Sequence, residues 1–218
     1  MSRRLNAHCF WGSHSPLSAL TGAGLIIMAS SRFSFALICA AALLWVYGFT
    51  ALVFSGARTV MPKRGRRVIL LFLSAFFCGT FMLLAGLLNP LLILGTGFFL
   101  VLVPPCCLSS GFFEASESSS LTDVLPRALL EASVLAGIIL AVALIREPLG
   151  MGTLSFPGGI QGIVEVFDVY DDGGFVPIRF LSASAGGLVL LGYGTALFRH
   201  LREQSGNIPQ DEAPEGNV

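Results

Sequence analysis

Acidic residues are missing from the first half of this chain. None of the thirteen Asp and Glu residues occurs before Glu114, and residues 33–57 and 68–113 carry no charge of either sign. Charged residues are 12% of the 218, about half of the roughly 25% usual in soluble domains. With 54% hydrophobic residues and a mean hydropathy of +0.80, this excludes an ordinary soluble domain and predicts an integral membrane protein. Other signatures are absent too. There is no nucleotide-binding loop, no nucleophilic triad and no HExxH, and Gly22, Gly24, Gly150 and Gly152 are too sparse for a phosphate cradle. The five cysteines form no CxxC pair and no disulfide ladder. The net charge of zero gives no reason to expect a nucleic-acid partner.

What is present is a series of apolar runs. Residues 1–14 are basic and polar, an expected cytoplasmic N-terminus with Trp11 at the headgroups and no cleavable signal. His8, Cys9 and His14 fit no standard zinc spacing. A membrane domain over 15–198 follows, with spans predicted at 16–31, 33–57, 68–88, 91–111, 127–145 and 178–198. Residues 199–218 are a polar cytoplasmic tail. Span one is short and holds Gly22 and Gly24, so it reads as a broken or half-length helix. Asn89-Pro90 divides a 46-residue uncharged stretch into spans three and four. Arg146-Glu147 marks the end of span five, and 147–177 reads as a Gly/Pro-rich loop. The basic cluster Arg58, Lys63, Arg64, Arg66 and Arg67 puts the loop after span two, and with it both termini, in the cytoplasm.

The candidate site lies in residues 91–113. Pro104 and Pro105 weaken this helix, and Cys106 and Cys107 follow at once. Freed backbone groups in lipid need protein, water or a ligand to satisfy them. A thiolate there needs a metal or another cation. Glu131, one turn into span five, reads as a snorkelling partner of Arg127 or as an ion ligand. Ser15-Pro16-Leu17 with Leu-Thr-Gly-Ala-Gly from Leu20 is echoed by Asn89-Pro90-Leu91 with Leu-Gly-Thr-Gly from Leu94. Spans one and four enter from opposite sides. The fold expected is therefore an all-α integral membrane protein with six transmembrane helices as two inverted three-helix repeats. Its broken helices are spans one and four, and its site lies near the midplane.

These features resemble a known family, the RnfE-type membrane component of the Rnf ion-translocating oxidoreductase complex, whose counterpart in the sodium-pumping NADH:quinone reductase is the NqrD component. The likeness runs over most of 15–198. It rests on Pro62 to Arg66, on Cys106-Cys107 with Gly111 and Glu114-Ala115, and on Arg146-Glu147-Pro148-Leu149-Gly150-Met151-Gly152-Thr153-Leu154, which separates this branch from its RnfA-type sister. The resemblance implies a translocase component of a bacterial inner-membrane electron-transport complex, coupled to Na+ or H+ movement. It implies an inverted RnfA-type partner and a shared 2Fe–2S cluster, with Cys107 as ligand and Cys106 as the fallback. The family's span-one cysteine is replaced by Gly24. Cys106 or Cys9 would have to supply that ligand, or the chain holds no cluster and acts as a scaffold or as a small-molecule or ion carrier.

Overall fold

The computed structural model describes residues 16–57, 65–109, 121–158, 162–168 and 179–204. Within them the chain is mostly helical. Helices α1 (Pro16–Ala29), α2 (Phe33–Ala57), α3 (Arg66–Leu88), α4 (Pro90–Leu100) and α5 (Val103–Ser109) are followed by α6 (Leu121–Met151). An antiparallel hairpin, β1 (Thr153–Pro157) and β2 (Ile163–Asp168), comes next, then α7 (Arg179–Ser182) and α8 (Ser184–Gln204). Cys9, Gly111, Glu114 and most of the basic cluster lie outside the described residues.

Among the described residues, three helices are long and apolar enough to cross a bilayer: Phe33–Ala57, Arg66–Leu88 and the Val124–Met151 part of α6. The apolar residues on α3 and α4 are widely exposed, among them Phe72, Phe76, Leu83, Leu87, Leu88, Leu94 and Phe98. A water-facing monomer rarely leaves so large an apolar face uncovered.

Helix α2 is the centre of the bundle. Its buried positions Ala36, Cys39, Ala40, Leu43, Val46, Tyr47, Thr50, Ala51 and Phe54 recur at helical spacing. It packs most extensively on α6, which presents Ala128, Ala132, Ala136 and Ala143. Small residues on both sides let the two backbones come close. The pair is antiparallel: Gly48 meets Leu129 at one level, and Phe33 meets Glu147 at another.

The breaks follow the chemistry of the residues at them. Asn89 caps α4 and Pro90 opens it, as the Asn-Pro signal predicts. Pro104 and Pro105 do not end a helix; they stand in the first turn of a new one, α5, where a missing N–H costs nothing. Helix α1 is 14 residues long, about 21 Å, and stops at Ala29.

Several expectations need correction. The fold is not purely α, because 153–168 holds a two-stranded hairpin in a region whose composition reads as loop. The helix that holds predicted span five runs from Leu121 to Met151 with Pro126 and Pro148 inside it, so Arg146-Glu147 lies within the helix rather than past its end. Span six is not continuous, because the helix breaks at Ala183 and resumes as far as Gln204.

Candidate functional site

The most polar buried point in the described residues is Arg146-Glu147. Arg146 is 2% exposed and Glu147 1%. All five N–H groups of the guanidinium are used. Nε donates to the Leu181 carbonyl at 2.8 Å, and Nη2 to those of Ser182 and Ala183 at 2.9 and 3.0 Å. Nη1 donates to the Ile27 carbonyl at 2.7 Å and to Ser30 Oγ at 3.0 Å. These carbonyls belong to the end of α1 and to the break between α7 and α8. A helix end leaves its last carbonyls without partners and carries partial negative charge. One cation offsets two such ends.

Glu147 does the reverse job at the start of α2. Its Oε2 accepts the Phe33 N–H at 2.6 Å, the first free donor of that helix. The next donor, the Ser34 N–H, goes to Ser155 Oγ at 3.4 Å, and Ser155 Oγ donates to Ser34 Oγ at 3.2 Å. Arg32 faces the same carboxylate and also pairs with Glu165 of β2 at 3.9 Å. Two adjacent side chains of α6 thus close the gap between α1 and α2 from both sides, with the hairpin laid over it.

The rest of the Arg146–Leu154 stretch has local reasons. A Cβ at Gly150 would stand 2.9 Å from the Ser182 nitrogen, so only glycine lets α7 approach. Gly152 has φ +71°, and its N–H donates to the Pro148 carbonyl at 3.0 Å, ending α6 and turning the chain into β1. At the other side of the node, a Cβ at Gly186 would lie 2.5 Å from the Leu181 Cα and the Phe180 carbonyl.

The second polar region surrounds the break between α4 and α5. Pro104 has no N–H for the Leu100 carbonyl, and the Cys78 thiol supplies a donor instead, at 3.2 Å. Tyr47 Oη donates to the Cys106 carbonyl at 3.3 Å. Cys106 and Cys107 are both buried, Cys107 with 1% of its surface exposed. Cys39 of α2 is buried as well, so cysteines of α2, α3 and α5 all belong to one core. Cys39 and Cys78 are not among the site residues predicted from sequence; an uncharged stretch gives no sign of which small residues face one another. Removing the phenol in Tyr47→Phe is expected to destabilise the fold by about 1 kcal/mol, read from its thermal unfolding midpoint in detergent.

The cysteines can be tested against the expected cluster. A 2Fe–2S cluster takes four ligands. Cys106 and Cys107 are consecutive on α5, so their side chains diverge by about 100° and do not face one point together. Cys107 is enclosed by its own chain, whereas a ligand shared with a second protein must reach the surface. Gly24 has no atom within 4 Å of where a side chain would start. Among the described residues, no group of three or more His, Cys, Asp or Glu side chains is placed to hold a metal ion. The described residues of this chain do not by themselves supply the four ligands of a cluster.

Glu131 is not held at a helix end. It lies ten residues into α6, about 15 Å along it, at the level of Tyr47, with its Oε2 buried. Arg127 is exposed. Comparison of the chain with protein-family models and with curated proteins finds no match.

Proposed function

We propose that the chain is an integral membrane component of an Rnf-like electron-transport complex of the bacterial inner membrane, one coupled to Na+ or H+ translocation. In this complex it serves as scaffold rather than as electron carrier. The observation that carries this reading is the Arg146–Thr153 stretch. The residues that mark the family branch are the same ones that cap α1, α2 and the α7–α8 break and that leave room for α7. In a bilayer no water reaches such ends, so broken helices persist only where protein groups satisfy them. The proposed arrangement is six spans in two inverted halves, with both termini cytoplasmic, the hairpin outside, and the RnfA-type sister as the facing partner.

A second reading has Cys107 ligating a 2Fe–2S cluster with thiols from that partner. It is favoured by the position of Cys107 directly after the break and by the clear space over Gly24. One experiment separates the two. The chain is co-purified with its membrane partner, iron is measured, and EPR spectra are recorded after reduction. The scaffold reading expects the same 2Fe–2S signal per complex from wild type and Cys107→Ser. Loss of that signal in Cys107→Ser, with the complex still assembled, would establish the second reading. Failure to co-purify with any flavin- or iron–sulfur-bearing protein would overturn both.

A further inference from the structure

The end of the bundle where α2 finishes and α3 begins is rich in positive charge. Residues 58–67 hold Arg58, Lys63, Arg64, Arg66 and Arg67 and no acid. The six-span arrangement brings 114–126 to the same side, with Glu114, Glu117 and Asp123. Five cations less three acids leave +2, so an excess of positive charge remains even with every acid paired. Arg66 and Arg67 open α3 there, the first partly buried and the second exposed. Arg66 lies over the Phe54 ring of α2 at 5.4 Å, which puts its charge at the seam between the two helices.

Deeper along the same seam the surface is aromatic. Phe49 of α2 stacks on Phe77 of α3 with ring centroids 5.5 Å apart, and Trp45 lies on Phe49 at 4.4 Å. Phe76 stands edge-on to Phe77 at 5.6 Å, and both Phe49 and Phe76 are exposed. From Arg66 to Phe77 the helix rises about 16 Å, the depth of one leaflet of a roughly 30 Å core. A small anion would meet the charge and leave the rings bare. An apolar protein helix would cover the rings and leave the charge. An amphiphile with a negative head answers both, and basic clusters at the cytoplasmic end of a membrane helix attract anionic lipid.

We propose that the α2–α3 seam holds one anionic phospholipid, with its phosphate on Arg66 and Arg67 and an acyl chain along Phe49, Phe76 and Phe77. The site requires that the chain lie in a bilayer with this end at the cytoplasmic leaflet. It does not require the Rnf-like assembly.

The test uses the full chain in lipid vesicles, with Trp11→Phe as the parent so that Trp45, on the seam, is the only tryptophan. Vesicles mix phosphatidylglycerol and phosphatidylcholine of equal chain length, with brominated chains on one lipid and then on the other. Quenching of Trp45 by each gives their relative binding at the seam. Phosphatidylglycerol is expected to be favoured by about fivefold or more, since one cation at the surface is worth about that factor. Arg67→Gln is expected to lower the preference severalfold, and the double change Arg66→Gln with Arg67→Gln to bring the ratio close to one. Arg127→Gln removes an exposed cation on α6 and is expected to leave the ratio unaltered. Equal quenching by the two lipids in the parent would overturn the site. So would a fall in Arg127→Gln as large as that in Arg67→Gln, because the preference would then belong to the whole charged face. An unaltered ratio in Arg67→Gln overturns it as well, and this exposed change keeps the inference testable if the double variant does not fold. A lipid preference that survives while co-purification fails removes the complex reading and leaves the site standing. The reverse result removes the site alone.

Discussion

Replacing Arg146 with methionine is expected to abolish recovery of folded protein. The substitution keeps most of the side-chain length and removes every donor. The half-buried carbonyls of Ile27, Leu181 and Ser182 then lose the donors Arg146 gives them, while that of Ala183 keeps the Gly186 N–H. Each such group left without a donor costs about 1–3 kcal/mol, against a total stability of roughly 5–15 kcal/mol. Arg146→Lys is expected to fall between. An ammonium has three donors on one point and does not span two helix ends, whereas the guanidinium does so with a planar fork. Glu147→Gln is the control: its side-chain oxygen still accepts from the Phe33 N–H, so the loss is limited to charge. Size-exclusion profiles in detergent rank the variants, with wild type and Glu147→Gln monodisperse and Arg146→Met aggregated. A monodisperse Arg146→Met with an unaltered unfolding midpoint would show that these contacts do not hold the bundle together.

The glycines divide into two kinds, and alanine substitution should separate them by sign. Gly186→Ala puts a methyl group 2.5 Å from the Leu181 Cα and the Phe180 carbonyl. Both are backbone atoms, and neither can rotate away. The shift this forces disturbs the approach of α7 to α8, and with it the three Arg146 contacts to Leu181, Ser182 and Ala183. A destabilisation of about 1–3 kcal/mol, the range of overpacked cores, is expected. Gly150→Ala, at 2.9 Å from the Ser182 nitrogen, should act likewise. Gly192 and Gly194 have nothing within 4 Å. Alanine there is expected to stabilise α8 by up to about 1 kcal/mol, the difference in helix propensity. Thermal unfolding of the four variants in one detergent checks the pattern. A Gly186→Ala midpoint at or above that of wild type would contradict the close approach.

Much of this architecture is legible in the residues themselves. Uncharged runs place α2, α3 and α4, and the turn at Asn89-Pro90 needs no partner to be read. The doublet Pro104-Pro105 marks a break, although it starts a helix instead of ending one. What stays hidden depends on distant partners. Arg146-Glu147 reads as the edge of a span because charges usually sit at edges. The groups that make the interior tolerable to them are backbone carbonyls and an N–H, which have no letter in a sequence. Ile27 is 119 residues away and Phe33 is 114. The hairpin escapes notice for a different reason. Val164 and Val166 flank Glu165 in a short strand whose side chains from 163 to 166 are all at least partly exposed, so no buried stripe separates it from a loop. Glu131 beside Arg127 looks like a local pair at helical spacing, and only the extra turn and a half at the start of α6 moves it deep into the bundle.

The distance of Arg146 and Glu147 from the helix ends they close has a bearing on biosynthesis. The chain is made from its N-terminus, so the end of α1 and the start of α2 leave the ribosome more than a hundred residues ahead of both caps. Until residue 147 emerges, the carbonyl end of one and the amide start of the other have to find water or a chaperone. A nascent chain halted just short of Arg146 would already contain α1 to α5 and still be unable to set the first two against each other. Assembly of this bundle is therefore expected to be completed late, from its C-terminal third inward.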